Sequence, residues 1–209
     1  MLLSKLLGAA VMFCLCALIP LLWWRFAARR PAPFWRWLGF TRPKLRVPLW
    51  ALCLFAVAYY VFYSFDFTLL FDAASLDALN SSENVAANAY TGLGLAALLP
   101  IAVESFLGNG LPEELFFRGF LTKRFSARFG QTGGVLLQAA CFGAMHNLLY
   151  LAAGIPISLR VHAVLFCFTG GGALLLALLN ERLYNGSIWP SILLHGLGNC
   201  IANVLAAFS

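Results

Sequence analysis

Residues 6–24 read LLGAAVMFCLCALIPLLWW, an apolar run without one charged side chain. Crossing about 30 Å of hydrocarbon as a helix takes about 20 residues of this kind. Lys5 precedes the run, and Arg25, Arg29 and Arg30 follow it in the manner of a stop-transfer signal. No small-residue cleavage site stands before the arginines, so the segment reads as a retained anchor rather than a signal peptide.

Working outward, residues 47–65, 91–107, 133–153, 161–179 and 188–208 repeat the pattern. Gly108-Asn109-Gly110 closes the third run, after which helix-like sequence resumes at Leu111 and continues to Arg128. One straight helix over 91–128 would measure about 55 Å, nearly twice the hydrocarbon thickness. It must break, tilt or extend beyond the bilayer. The Gly-Asn-Gly is the expected break, with a separate re-entrant piece as the alternative. Counted as one interrupted crossing, the chain is an all-α polytopic membrane helical bundle of about six transmembrane helices.

Composition agrees. The 209 residues are 62% hydrophobic and 11% charged, whereas a soluble domain carries about 45–50% apolar and roughly 25% charged residues. Disorder needs the opposite balance and is excluded. The six cysteines lie inside apolar stretches, with no C-x-x-C pair, and read as small buried or lipid-facing residues rather than a disulfide framework. A formal charge of +6 does not point to nucleic acid, because the basic residues sit at the ends of apolar runs.

Those basic residues set the expected orientation. The 25–46 segment holds Arg25, Arg29, Arg30, Arg36, Arg42, Lys44 and Arg46 with no acid, while 66–90 holds Asp66, Asp72, Asp77 and Glu83 with no base. Lys123, Arg124 and Arg128 follow the third crossing and Arg182 the fifth. Six alternating spans with both termini outside place all these bases on the cytoplasmic side. Small size and short loops suggest a bacterial inner membrane. The aromatic residues Trp23, Trp24, Phe34, Trp35 and Trp37 suit a headgroup-level belt. No internal repeat is visible. Residues 1–90 form a two-helix region with a basic loop, and 91–209 carry the chemistry.

The membrane interior retains Glu104, Glu113, Glu114, Arg118, His146 and His195. Ionisable groups there are costly (about 2.5–3.5 kcal/mol for Asp, Lys or Arg at a helix centre), which makes them candidates for function. Glu114 and Arg118 are four apart and share a helical face, so they can pair. Glu113 projects about 100° away and is left free, as a general base would be. Phe142 and His146 share one face, and His195 and Asn199 another. Counted at 1.5 Å per residue, Glu113 lies ~15 Å from the cytoplasmic helix end and His146 ~12 Å below the outer end. His195 and Asn199 lie ~10 and ~16 Å above Ile188, so all four fall near mid-bilayer. Read singly, each cluster also fits a plain structural role: an exposed ion pair, a packed histidine, interhelical hydrogen-bond glue.

Glu113-Glu114-x-x-x-Arg118, Phe142-x-x-x-His146 and His195-x-x-x-Asn199, in this order on successive apolar helices, resemble the CPBP family. That family contains the type II CAAX prenyl proteases and the Abi group of bacteriocin-processing or immunity proteins. The resemblance covers roughly residues 91–208; the first two spans are not diagnostic. Relatives often run the helix directly into the paired glutamates, whereas here Gly108-Asn109-Gly110-Leu111-Pro112 intervenes.

The resemblance implies intramembrane proteolysis of a membrane-associated peptide or protein, read from the bilayer. Prenylated C-terminal motifs, bacteriocin precursors and C-terminal sorting signals are the substrate classes it allows. Such hydrolysis needs activated water, oxyanion stabilisation and a proton for the leaving amine. On that reading Glu113 activates water, with His146 helping to hold or protonate it. His195 and Asn199 form the oxyanion site, Glu114 with Arg118 positions the helix, and Phe142 packs the His146 side. No cofactor is required. The competing chemistry is zinc held by Glu113, His146 and His195, a known ligand set, although no H-E-x-x-H is present. Two non-enzymatic readings remain open: proton or ion coupling through the buried charges, and an immunity protein that binds a peptide without cutting it. The absence of two matching inverted halves speaks against a transporter. Oligomeric state is not legible.

Overall fold

The apolar runs are helices in the computed structural model, which describes residues 1–81 and 89–209. Glu83, counted above with the acidic loop, lies outside the described residues. Helix α1 (Leu2–Leu22) continues through a wide π-helical turn, Trp23–Ala27. The short α2 (Phe34–Leu38) ends at Gly39, whose φ of +97° ends the helix. Helix α3 (Leu49–Ser64) starts behind Pro48, and α4 (Ala73–Asn80) is capped by Asp72, which accepts from the Ser75 amide. Lipid-facing Leu7, Val11, Leu15 and Leu18 of α1 stay exposed, as expected where the solvent is hydrocarbon.

Beyond residue 94 the chain is helical in alternating forms. Helix α5 (Leu98–Ala102) leads into a π-helical stretch, Val103–Gly110, then α6 (Leu111–Glu114), a second π stretch, Leu115–Leu121, and α7 (Thr122–Ala152). The interruption expected at Gly108-Asn109-Gly110 is therefore a change of helix type and not a gap. Gly110 keeps helical angles, φ −53° and ψ −53°. Proline removes an N–H and its ring collides with the carbonyl four residues earlier. Ahead of Pro112, the wide turn moves that carbonyl aside. The glycine answers a separate demand: a Cβ on Gly110 would stand 3.2 Å from the Gly196 Cα.

The reversal comes at Gly130, where φ +76° and ψ 164° leave the helix. A Cβ on Gly134 would fall 2.2 Å from the Ser126 Oγ, although eight residues of straight helix span about 12 Å. The chain thus reverses at Gly130, and the second arm of α7 runs back antiparallel to the helical run that ends at Phe129. Helix α8 (Leu159–Leu178) begins at Ser158, whose hydroxyl caps Val161, and ends in a π-helical turn, Leu179–Leu183; α9 (Trp189–Ala207) closes the bundle. Four helical runs are long and apolar enough to cross a membrane: Leu2–Ala27, Gly94–Ala152, Leu159–Leu183 and Trp189–Ala207. With Leu49–Ser64 as a shorter apolar helix and the second run folded at Gly130, six apolar segments result.

Helix α1 lies parallel to the 98–121 segment. Lys5 pairs with Glu104 at 2.7 Å, Ala9 packs beside Gly108, Phe13 and Ala17 join the Leu115–Phe120 cluster, and Trp23 meets the Phe120 ring at 5.8 Å. Glu104 binds Lys5 and accepts from the Tyr90 hydroxyl. At one end of the bundle the 39–46 and 183–188 segments interlock, through Ile188 N–H to Gly39 O at 3.0 Å and Lys44 N–H to Asn185 Oδ1 at 2.9 Å. Lys123 reaches Glu181 there at 2.9 Å. Part of the basic loop is thus built into the body: Leu38 is buried, and Arg124 lies 4.0 Å over the Trp37 ring. At the other end Asp72 and Ser75 hold Ser158.

Candidate active site

Three elements meet inside the bundle: α6 with its following π stretch, the second arm of α7, and α9. Glu114 and Arg118 are buried, at 0% and 1% exposure, with Arg118 Nη1 3.1 Å from Glu114 Oε1. The pairing expected from their spacing is present. It is a charge contact rather than an aligned hydrogen bond, because none of the guanidinium nitrogens has a well-directed acceptor among the described residues. The guanidinium instead lies 4.6 Å from the Phe142 ring centre, an arrangement in which the ring's negative face attracts the cation.

His195 links the elements. Its Nδ1 donates to Glu114 Oε1 at 2.8 Å, and its Nε2 stands 3.9 Å from Glu113 Oε2. Glu113 keeps a small exposure of 15%, and its Oε2 is buried without a hydrogen-bond partner among the described residues. The two adjacent glutamates thus differ as the sequence suggested. Glu114 is held by Arg118 and by His195, while Glu113 faces the same imidazole from beyond bonding distance.

His146 Nδ1 lies 2.9 Å from the Phe142 carbonyl oxygen. A carbonyl only accepts, so Nδ1 carries the proton and Nε2 presents a lone pair. No hydrogen bond or ion pair joins His146 to Glu113 or His195. Their link is Phe142, whose ring lies 4.5 Å from His146 and 6.1 Å from His195. Asn199 is half-buried one turn beyond His195, and among the described residues no hydrogen bond engages its side chain.

Among the described residues no three His, Cys, Asp or Glu side chains stand as a group that could hold a metal. Glu113, His146 and His195 as placed do not gather into a zinc set.

Several neighbours escaped the motif reading. Phe117 meets Phe142 edge-on at 4.8 Å. Helix α1 packs against α6, and α3 packs against α8. The signal was present but faint: two tyrosines four apart in a span, Tyr59 and Tyr63, the second set so that a Cβ on Gly172 would fall 2.3 Å from its hydroxyl. The two spans outside the motifs therefore help to wall the site.

A family described as type II CAAX prenyl endopeptidase Rce1-like matches residues 94–201. The match covers more than half of the chain and contains all three motifs, and the protein belongs to that family. It is an integral membrane protein of a family of CAAX-type intramembrane endopeptidases. No curated protein and no solved structure matches the chain.

Proposed function

We propose that the protein hydrolyses a peptide bond of a membrane-associated protein or peptide, with Glu113 as the base that activates water. The observation that carries this reading is His195 standing between two unlike carboxylates, one paired with Arg118 and one whose buried Oε2 has no hydrogen bond among the described residues. Water bound to Glu113 gives up a proton as its oxygen attacks the scissile carbonyl carbon. The resulting oxyanion takes hydrogen bonds from His195 Nε2 and the Asn199 amide. Collapse breaks the C–N bond, and Glu113 returns its proton to the leaving amine. The lone pair on His146 Nε2 holds the water.

Because His195 already donates from Nδ1, it must carry a second proton to donate from Nε2. In that state Glu113 and Glu114 balance His195 and Arg118. A buried cluster of zero net charge is the arrangement that low dielectric favours. Glu114 and Arg118 act as positioning residues, and Phe142 ties Arg118 to both imidazoles. The charge pattern supports a bacterial inner-membrane protein with the 25–46 loop cytoplasmic and both termini outside. Substrates of the kind this site suits are C-terminal sorting signals, bacteriocin-type precursors or other C-terminally processed chains.

The test is proteolysis of membrane peptides by the purified protein in proteoliposomes. Glu113→Gln should lower kcat by about 10²–10⁴, the range for loss of a positioned base, while a crosslinkable peptide still binds. Full activity in that variant would refute the role given to Glu113. A wild type that captures peptides but cuts none would mark a binding or immunity protein instead.

A further inference from the structure

A cavity of about 370 Å³ lies between α1 and the Val103–Gly110 turn, lined by Ser4, Lys5, Ala9, Met12, Glu104 and Asn109 among others. We propose that it is an aqueous vestibule that brings the hydrolytic water to Glu113. The inference rests on the reading of Glu113 as the base, and it adds a route the family match does not describe, since α1 lies outside residues 94–201.

Peptide hydrolysis consumes one water per turnover, and water is scarce at mid-bilayer. A cavity holds water when it is both roomy and polar. At about 30 Å³ per molecule in the liquid, this one has space for on the order of ten waters. Its lip carries the Lys5–Glu104 pair at 2.7 Å, with Lys5 also 4.9 Å from the Tyr90 ring. Both side chains remain partly exposed, which in hydrocarbon would carry the penalty of solvent-exposed charge in lipid and in water would not. Small residues keep the space open: a Cβ on Gly8 would meet nothing within 4 Å.

The floor points at the site. Asn109 lies four residues before Glu113, about 6 Å of helical rise. On the facing helix, which packs against α6, Met12 lies 3.9 Å from Cys16 between sulfurs. Methionine is flexible enough to yield to a passing water. At the far side waits Glu113 Oε2, buried without a partner.

The experiment introduces Met12→Cys and, as a lipid-facing control, Leu15→Cys into a background whose native cysteines are replaced by alanine. Both are reconstituted in proteoliposomes and exposed to a charged, membrane-impermeant thiosulfonate. Met12→Cys should react at least about tenfold faster than Leu15→Cys, because a charged reagent partitions poorly into hydrocarbon. Adding Gly8→Phe, which fills the cavity from an open position, should slow that labelling. In the otherwise native chain the same change should lower kcat with KM little altered. Equal reactivity of the two cysteines means that lipid fills the cleft, and the proposal falls. It falls also if Gly8→Phe blocks labelling yet leaves kcat intact, since water then arrives elsewhere. Labelling needs no turnover, so fast labelling of Met12→Cys in a protein whose hydrolysis ignores Glu113→Gln would retain the vestibule and sink the catalytic reading.

Discussion

His195 is bonded to Glu114 through Nδ1 at 2.8 Å, across 81 positions of sequence. That one contact orients the imidazole toward Glu113 and joins α9 to α6. It also makes Glu114 answerable to two partners, His195 and Arg118, and the substitutions of this trio should separate stability from activity.

Arg118→Met leaves the buried Glu114 carboxylate without its guanidinium, and Glu114→Gln leaves the guanidinium without its carboxylate. Breaking a buried pair from one side costs about 3–5 kcal/mol. Each single variant should therefore lose thermal stability in detergent. The double variant Glu114→Gln/Arg118→Met removes both charges, and should recover much of that loss. Its proteolysis should stay low, because the glutamine no longer presents a carboxylate to His195 Nδ1. A double variant that recovers stability and activity together would show that the pair has no part in holding His195.

Close approach of α9 to the Val103–Gly110 turn should be just as sensitive. A Cβ on Gly196 would fall 2.3 Å from the Phe106 ring, directly beside His195 in sequence. Gly196→Ala should lose about 1–3 kcal/mol, the usual cost of overpacking, and should reduce kcat by displacing the imidazole. Adding Phe106→Leu supplies room and should restore both. Melting temperature and turnover of the three variants check this; an undisturbed Gly196→Ala would mean that the helices are not held at this distance.

How much of this was legible beforehand follows from which signals are local. Apolar runs of spanning length and the Glu114–Arg118 pair at four residues need only helical periodicity, and both appear as read. The reversal between Arg128 and residue 133 was read from where one run ends and the next begins, but not the residue that makes it, because a glycine between a basic segment and an apolar run has many uses; the φ of +76° places the turn at Gly130. The same limit hid the part played by Phe142. Its spacing to His146 was clear, but the stacking of Arg118 on its ring depends on the hairpin that brings residues 118 and 142 together. Glu104 could not be understood without Lys5, 99 residues away.

Asp72 offers a pH dependence free of the site. Its carboxylate accepts from the Ser158 hydroxyl at 2.5 Å and from the Ser75 amide at 2.9 Å, and these bonds, led by that to Ser158, pull its pKa from 3.8 to about 2. A carboxylate whose folded pKa is depressed contributes stability above its unfolded value and loses it as pH falls through the folded one. The contribution should be complete above about pH 5 and lost progressively as pH falls through about 2. Melting curves of wild type and Asp72→Asn should differ above about pH 5 and converge toward about pH 2. Parallel curves across that range would show that the carboxylate is not held by these donors.

Metal removal tests the chemistry directly. Zinc needs its ligands deprotonated and converging. His146 and His195 each engage Nδ1, with the Phe142 carbonyl and with Glu114, and leave Nε2 free, but among the described residues Glu113, His146 and His195 do not come together as a group that could hold an ion. Proteolysis should therefore persist after dialysis against a tight chelator, with no gain on adding zinc. Loss of activity in chelator and recovery with zinc would overturn the metal-free mechanism. The Glu114→Gln variant then tells how: in a zinc enzyme, freeing His195 Nδ1 from its carboxylate should weaken metal affinity by about 10–100-fold, whereas in a glutamate mechanism the same change lowers kcat with no metal dependence at all.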